Sequence, residues 1–430
     1  MPIIDAQARR FWALLMRWLL ITMLTGAASA FVVWGFAMGL GWLEPLVAEM
    51  LGGWVWLAPL GAAVLLSGLY AWAKAPEVSG DGMPAYIVGM CRRRGFFRIK
   101  VTVLKYVATL LTLGLGGSGG VVGPLTRVNA GVGSAIGRVL VRLGMPDTTV
   151  RIAAICGAAG ALSAVFKSPI GASIFVVEVF QRASMSYSVL FPAILAGATS
   201  FAICQWLPPF TLLYHATEIK ELVSLSAVPG LVLVGVLCGF LGLAHIACFE
   251  WLERLRHRWS LPVRVLIGGG VVSLLGLALG ANVLGTGAHC FRRLVEGHLL
   301  GHGAVQAWVL MMGVYLVGKV VASSVTISSG MSGGLTGPSV LIGALLGSIV
   351  ACMVGVADAN YEAYVAAGVA GMLAANVNVP IAATVIVVES FGINFSLPAV
   401  IGSAIAFQIA RSKTIYQLAT REWQVQNGGE

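Results

Sequence analysis

The sequence predicts an all-α polytopic membrane protein built from two repeats of tilted and broken helices, and three observations lead to that fold class. Of the 430 residues, 58% are hydrophobic and 10% are charged, whereas a soluble domain carries roughly a quarter charged residues. Apolar runs long enough to span a bilayer recur, for example at residues 11–40, 51–73, 222–248 and 263–283. The third observation is an internal repeat interrupted by glycine and proline at matching places, which is typical of transporters and channels.

The repeat relates the two halves of the chain. Gly-Gly-Val-Val-Gly-Pro at residues 119–124 recurs as Gly-Gly-Leu-Thr-Gly-Pro at residues 333–338, 214 positions later. A second set keeps one offset of 211: Gly157, Gly160, Leu162, Pro169, Ile170, Ala172, Val176, Val177, Glu178 and Phe180 match Gly368, Gly371, Leu373, Pro380, Ile381, Ala383, Val387, Val388, Glu389 and Phe391. A repeat of this kind predicts a substrate site near the bilayer midplane, between the halves.

The chain is expected to form one transmembrane domain, with its parts in this order: a first half at 12–205, a linker at 206–224, a second half at 225–410 and a short cytoplasmic tail at 411–430. The linker is more polar and contains Pro208 and Pro209. The apolar runs at 152–165 and 382–388 are too short to cross a bilayer upright, which indicates tilted or broken helices. The first apolar run exceeds the core of a signal peptide, so we expect a retained helix.

Basic residues lie in short clusters between the apolar runs, and the net charge is +10. The clusters are Arg9, Arg10 and Arg17; Lys74; Arg92, Arg93, Arg94, Arg98 and Lys100; Arg411 and Lys413. By the positive-inside rule they indicate cytoplasmic loops of a cell inner-membrane protein, and the alternative is an electrostatic funnel for an anion. No nucleic acid, cofactor or metal is expected, since the seven cysteines form no C-x-x-C pair and the six histidines show no metal-ligand spacing.

Three glycine-rich segments, at residues 80–84, 120–124 and 334–338, each lead into a helix through a proline. Glycine allows close backbone approach, and helix N-termini present unpaired N–H groups with a partial positive charge. Three such ends aimed at one point would bind an anion without a buried cation, which would cost at least ~2.5 kcal/mol. Glycines that serve only close helix packing are the alternative for any single segment.

In these motifs the sequence resembles the CLC chloride channel/transporter family, over about residues 12–420. Residues 75–84 are similar to the family's first filter segment GSGIP, 120–124 to GREGP and 334–338 to GIFAP, and Tyr416 falls at the pore tyrosine. The resemblance, to bacterial members without a C-terminal regulatory domain, implies an inverted-topology bundle with one anion pathway per subunit and commonly a homodimer. The anion-binding positions it implies are Asp81, Gly82, Val122, Gly123, Leu335, Thr336 and Tyr416.

Two departures from the family pattern bear on mechanism. Val122 stands where GREGP has the glutamate that gates the pathway and handles protons, and Val179 stands where exchangers have an inner glutamate. Valine cannot titrate, so these residues favour passive, proton-uncoupled conduction of chloride or similar monovalent anions. Glu178, matched by Glu389 in the repeat, is expected to stabilise a helix end.

Asp81 stands where the family usually has serine, and three explanations remain open. It faces away and caps its own helix, it is a protonated donor or a displaced titrating gate, or the substrate is not chloride. A carboxylate facing an anion costs several kcal/mol unless it is paired or protonated. Lys105, where the family has a buried lysine, would pair with Asp81 or supply positive potential, unless it is an interfacial lysine. Thr336 replaces an aromatic residue and removes bulk from the outer pathway.

Other functions compete with uncoupled conduction. A proton-coupled anion transporter would use Asp81 as its titrating carboxylate, and a transport-dead protein would bind anions without moving them. Residues 116–119 also match the G-x-S-G pattern of intramembrane serine proteases. The sequence offers no well-placed histidine base for Ser118, so we do not expect an enzyme.

Overall fold

A computed structural model describes residues 2–181, 185–210, 223–255, 259–295, 305–355 and 358–417. These residues form sixteen α-helices with short 3-10 turns between them, and no named strand occurs in this part of the chain. The first eight are α1 (Pro2–Leu51), α2 (Ala58–Ala73), α3 (Gly82–Arg92), α4 (Ile99–Gly114), α5 (Val122–Arg142), α6 (Thr148–Phe166), α7 (Pro169–Gln181) and α8 (Tyr187–Cys204). The others are α9 (Val228–Leu255), α10 (Leu261–Leu279), α11 (Ala288–Val295), α12 (Val305–Ser328), α13 (Thr336–Val354), α14 (Asp358–Val377), α15 (Pro380–Phe391) and α16 (Ser396–Ala410).

Eight helical segments of the described chain are long and apolar enough to cross a membrane. The first apolar run is helical as expected, and it forms one candidate span together with α2. The run at 152–165 was judged too short, but it lies inside α6, whose 19 residues make a candidate span. The run at 382–388 does lie in a short helix, the 12-residue α15. The all-α polytopic class is confirmed.

Two expected segments are described only in part. Residues 211–222 of the expected linker lie outside the described residues, and α8 ends just before that linker, at Cys204. Residues 418–430 of the expected tail also lie outside them.

Glycines let corresponding helix pairs of the two halves pack closely. A side chain at Gly157 of α6 would collide with the carbonyl of Asn129 on α5. In the second half, a side chain at Gly368 of α14 would collide with the carbonyl of Gly343 on α13. Small residues at such contacts let helix backbones approach within a membrane. The repeat is thus a repeat of packing as well as of sequence.

The two halves also cap each other's helices. Glu178 of α7 accepts hydrogen bonds from the first turn of α15, including the Ala382 amide at 2.8 Å. Glu389 of α15 accepts hydrogen bonds from the Gly171 amide at 2.9 Å and from the Ser168 hydroxyl, at the start of α7. Carboxylates at helix N-termini are stabilising because they accept from unpaired amides. Glu178 therefore lies at a helix end, as expected, but the helix belongs to the other half.

Candidate anion site

The N-terminal ends of α3, α5 and α13 meet at one place. The Gly120 amide donates a hydrogen bond to the Gly334 carbonyl at 2.7 Å, which joins the segments that lead into α5 and α13. A side chain at Gly82, the first residue of α3, would collide with the carbonyl of Gly123 in the first turn of α5. The structure thus brings the three glycine-rich segments together.

The Asp81 carboxylate lies at this meeting point. Its Oδ1 accepts from the Met83 amide in the first turn of α3 (2.9 Å), and its Oδ2 accepts from the Leu335 amide before α13 (2.8 Å). The Tyr416 hydroxyl lies 3.5 Å from Oδ2, and a side chain at Gly123 would collide with Oδ1. Asp81 does cap its own helix, but the explanation that it faces away is wrong. Its carboxyl group is held where three helix N-termini converge.

This location is one that suits an anion. Helix N-termini offer N–H donors and a partial positive charge, and hydrogen bonds to a charged group contribute about 1.5–3 kcal/mol each. We expected the Leu335 amide to contact the transported ion, but in the structure that amide donates to Asp81. An anion that reaches the same amide must therefore displace the carboxylate.

Tyr416 and Thr336 form a second polar contact beside Asp81. Their hydroxyl oxygens are 2.7 Å apart, and both residues are buried. The loop before Tyr416 is fixed on α14, since the Ile415 amide and the Thr414 hydroxyl both donate to the Asn376 carbonyl, at 2.8 and 3.2 Å. Thr336 was expected only to remove bulk from the outer pathway, and the hydroxyl pair with Tyr416 was not predicted from the sequence.

The two valines at expected carboxylate positions are buried. Val122 is the first residue of α5, and its carbonyl accepts a hydrogen bond from the Thr126 hydroxyl at 2.7 Å. Val179 lies in the last turn of α7, within the main hydrophobic core. Neither side chain can bind a proton, so in this chain the carboxylate at the site comes from α3.

Lys105 of α4 is buried, so it is not an interfacial lysine. Its ammonium donates to the carbonyls of Val78 (3.0 Å) and Gly80, in the loop that precedes Asp81. No ion pair within 4 Å joins Lys105 to Asp81, both of which the structure describes. Lys105 therefore makes no direct ion pair with Asp81, but its charge interacts with the carboxyl group at longer range, in line with the alternative that it supplies positive potential. Its ammonium also holds the loop from which Asp81 projects.

The second half repeats this arrangement. Lys319 follows Lys105 by 214 positions, the offset of the glycine-rich segments. It is buried, and it donates to the carbonyls of Val283 (3.4 Å) and Gly285 (2.8 Å) in the loop before α11. The repeat offset alone identifies Lys319 in the sequence as the counterpart of Lys105.

The backbone of the two loops also matches, bond for bond. The loop-to-loop hydrogen bonds are Gly80 N to Gly330 O (3.2 Å), Gly333 N to Gly80 O (3.3 Å), Gly285 N to Gly116 O (3.0 Å) and Gly119 N to Gly285 O (3.2 Å). Thr286 then occupies the place of Asp81, and its hydroxyl accepts from the Ala288 amide at 3.4 Å. The start of this loop, around residue 285, therefore belongs to the repeated scaffold.

A cavity of about 790 Å³, here called the vestibule, is lined by Asp81 and Tyr416. Its other charged lining residues are Glu77, Arg93, Arg127, Glu250, Glu253, Arg254, Arg264 and Lys413. Arg93 and Lys413 belong to the basic clusters that the positive-inside rule assigns to the cytoplasm. We therefore expect the vestibule to open toward the cytoplasm and to lead to Asp81.

The serine-protease alternative gains no support from the geometry. Ser118 is fully buried, and its hydroxyl has no hydrogen-bond partner in the described part of the chain. A serine nucleophile needs a base within hydrogen-bond reach.

Comparisons with known proteins agree with this fold. A family model described as voltage gated chloride channel matches residues 61–411. The H(+)/Cl(-) exchange transporter ClcA of Vibrio vulnificus is 28% identical over 393 residues, covering 87% of this chain and 81% of that protein. A CLC-type fluoride/proton antiporter superposes with a TM-score of 0.80 at 22% identity, covering 94% of this chain and 98% of that one. A slow cyanobacterial Cl−/H+ antiporter superposes with a TM-score of 0.80 at 18% identity, covering 96% and 99%.

Proposed function

This chain belongs to the voltage-gated chloride channel family, and we propose that it transports chloride or a similar monovalent anion with Asp81 as a titratable gate. The proposal rests on one observation: the Asp81 carboxylate accepts from the amides of Met83 and Leu335 and lies beside Tyr416. There it acts as a tethered anion. A free anion and the ionised carboxylate repel each other, so they exclude one another from the amides.

Protonation of Asp81 determines whether its carboxyl group or a free anion occupies the amides. A neutral carboxyl group accepts hydrogen bonds from the amides less strongly than a carboxylate does, so an anion can take its place. When the anion leaves, the carboxylate returns and releases its proton. Proton and anion movements are then linked through one side chain, which favours the proton-coupled alternative over the uncoupled conduction first expected. The relative from Vibrio vulnificus is itself named an H(+)/Cl(-) exchange transporter.

Uncoupled conduction is the second candidate, and Val122 and Val179 favour it. Both are buried apolar residues at the positions where the family resemblance places proton-handling carboxylates. In that case Asp81 is a fixed helix cap, and anions pass the site without any exchange of protons.

The experiment is simultaneous recording of chloride and pH during efflux from liposomes that contain the purified protein. The proposal predicts proton movement in fixed ratio to chloride in the wild type, and chloride movement without protons in Asp81→Asn. Asp147→Asn, at the start of α6, is the matched control and should behave as the wild type. Chloride efflux without protons in the wild type would establish uncoupled conduction. Anion binding without any flux would identify the transport-dead alternative.

We further propose that the chain works in the cell inner membrane as a homodimer in lipid. Ile170 and Ile381, repeat counterparts at the starts of α7 and α15, are 46% and 50% exposed although these helices pack together. An apolar face on two contacting short helices suits a two-fold contact with a second copy. Ile381→Trp should yield monomers in light scattering, whereas Leu274→Trp on exposed α10 should not.

A further inference from the structure

Arg127 of α5 is a buried cation on the wall of the vestibule. Its side chain is 5% exposed, and it lines the same cavity as Asp81. It follows Val122 by five residues, which corresponds to about 7.5 Å along the helix. Arg127 was not among the residues that the sequence analysis selected.

Two contacts fix the guanidinium of Arg127. It lies over the Phe97 ring, with Cζ 4.3 Å from the ring centroid, and its Nη1 donates to the Thr102 hydroxyl at 3.3 Å. Two glycines make room for these partners. A side chain at Gly89 would collide with the Phe97 ring, and one at Gly131 would collide with the Thr102 hydroxyl. The guanidinium is therefore held in one orientation.

The charge of Arg127 has no close carboxylate partner. No carboxylate oxygen of the described residues lies within 4 Å of its guanidinium, although Glu77 lines the same cavity. The carboxylate of Glu77 lies instead 3.9 Å from Arg93. Of the five N–H donors of a guanidinium, one has a hydrogen-bond acceptor in the described part of the chain. The Glu77 carboxylate offsets the buried charge of Arg127 only at longer range. An anion from the vestibule would add the direct contact that the guanidinium lacks.

We infer that Arg127 forms an anion-binding site in the vestibule, where a monovalent anion waits on the inner side of Asp81. Two parallel N–H groups on a guanidinium edge suit a planar oxyanion such as nitrate as well as chloride. The inference rests on the proposed function only for the next step, in which this anion displaces the Asp81 carboxylate. The binding site itself requires no proton coupling.

The test is calorimetric titration of the full-length protein in lipid nanodiscs with chloride and with nitrate at neutral pH. Binding at the central amides is common to all of these variants, so the difference between each Arg127 variant and the wild type reports the vestibule. Arg127→Gln should weaken binding of both anions about tenfold, the effect of one charge-assisted hydrogen bond. Arg127→Lys keeps the charge without the parallel N–H groups, so it should keep chloride binding within about threefold and weaken nitrate binding more.

Arg142→Gln is the control on the same helix. Arg142 is an exposed residue in the last turn of α5, and it is not part of the vestibule lining. Its substitution should leave both affinities unchanged. Equal affinities in Arg127→Gln and Arg142→Gln would overturn the inference, as would nitrate and chloride binding that Arg127→Lys weakens equally.

The inference and the proposed function fail separately. If Asp81→Asn keeps the wild-type proton coupling while Arg127→Gln weakens anion binding, the gate is wrong and the vestibule site stands. If Asp81→Asn abolishes coupling while Arg127→Gln binds both anions like the wild type, the gate stands and the inference is overturned.

Discussion

The loop before α3 and the loop before α11 have the same backbone arrangement and different chemistry. Each is held by a buried lysine that donates to two of its carbonyls, Lys105 in the first half and Lys319 in the second. Each places one side chain against the amides of the helix that follows, Asp81 in the first loop and Thr286 in the second. The lysines therefore belong to the shared scaffold, and the two loops differ in the side chain that each places against the helix amides.

The same contrast holds where α5 and α13 begin. Val122 and Thr336 are repeat counterparts, but Thr336 contributes a hydroxyl that contacts Tyr416, whereas Val122 contributes only an apolar side chain. The polar side chains at the site are therefore Asp81, at the start of α3 in the first half, and Thr336, at the start of α13 in the second half. The two halves share a framework, and the polar side chains that can act on an anion differ between them.

The largest effect is expected from replacing Asp81, the side chain that distinguishes the first loop from the second. Asp81→Asn removes the tethered charge, so anion efflux at neutral pH should rise about tenfold or more, the effect of losing one charged hydrogen bond. Wild-type efflux should increase as the pH falls, because protonation frees the amides, and Asp81→Asn should lose this dependence. Thr286→Val should keep the wild-type pH profile. A pH profile that changes in Thr286→Val as much as in Asp81→Asn would break the comparison.

The stability of variants at the two lysines tests whether the two loops share one scaffold. Lys105→Met and Lys319→Met each remove a charged donor from two carbonyls, of which Gly80 and Gly285 keep a backbone donor. Each substitution should lower the stability by about 2 kcal/mol. Thermal unfolding in detergent, followed by tryptophan fluorescence, should show similar decreases in the midpoint. Only Lys105→Met should also alter the pH dependence of efflux, since only its loop holds a carboxylate. Altered efflux in Lys319→Met would show that the second loop also has a transport role.

The capping glutamates should behave alike. Glu178→Gln and Glu389→Gln each weaken a cap on a helix of the opposite half, and the expected cost is about 1 kcal/mol. Thermal unfolding should show equal decreases, with the coupling ratio of transport unchanged in both variants. Loss of coupling in Glu178→Gln alone would instead place Glu178 on a proton route.

The smallest effect is expected at the hydroxyl pair. Tyr416→Phe and Thr336→Val each remove one partner of the same hydrogen bond, at a cost of about 1 kcal/mol, so anion affinity should change a few-fold. Because the two hydroxyls contact each other, the double variant should lose less than the sum of the single variants. Additive losses would show that the two groups act independently.

The sequence predicted that the three helix starts meet at one site, but not that the Asp81 carboxyl group lies against the amides there. The repeat of residues 120–124 at 334–338 predicted that their two helix starts meet, and the same offset relates Lys105 to Lys319. The direction of Asp81 could not be predicted, since capping α3 and reaching the Leu335 amide are compatible with one loop conformation. That second contact spans 254 positions and depends on tertiary packing. Arg127 has no sequence signal, because the two side chains that hold it, Phe97 before α4 and Thr102 in α4, come from another part of the chain.

The most direct test of the account is infrared difference spectroscopy of the protein in lipid as chloride is added at constant pH. If a chloride ion displaces the Asp81 carboxylate, carboxylate absorption should fall and protonated-carboxyl absorption should appear. Both changes should be absent in Asp81→Asn and present in Thr286→Val. A chloride-induced spectrum without these bands, or one that persists in Asp81→Asn, would contradict the tethered-anion account.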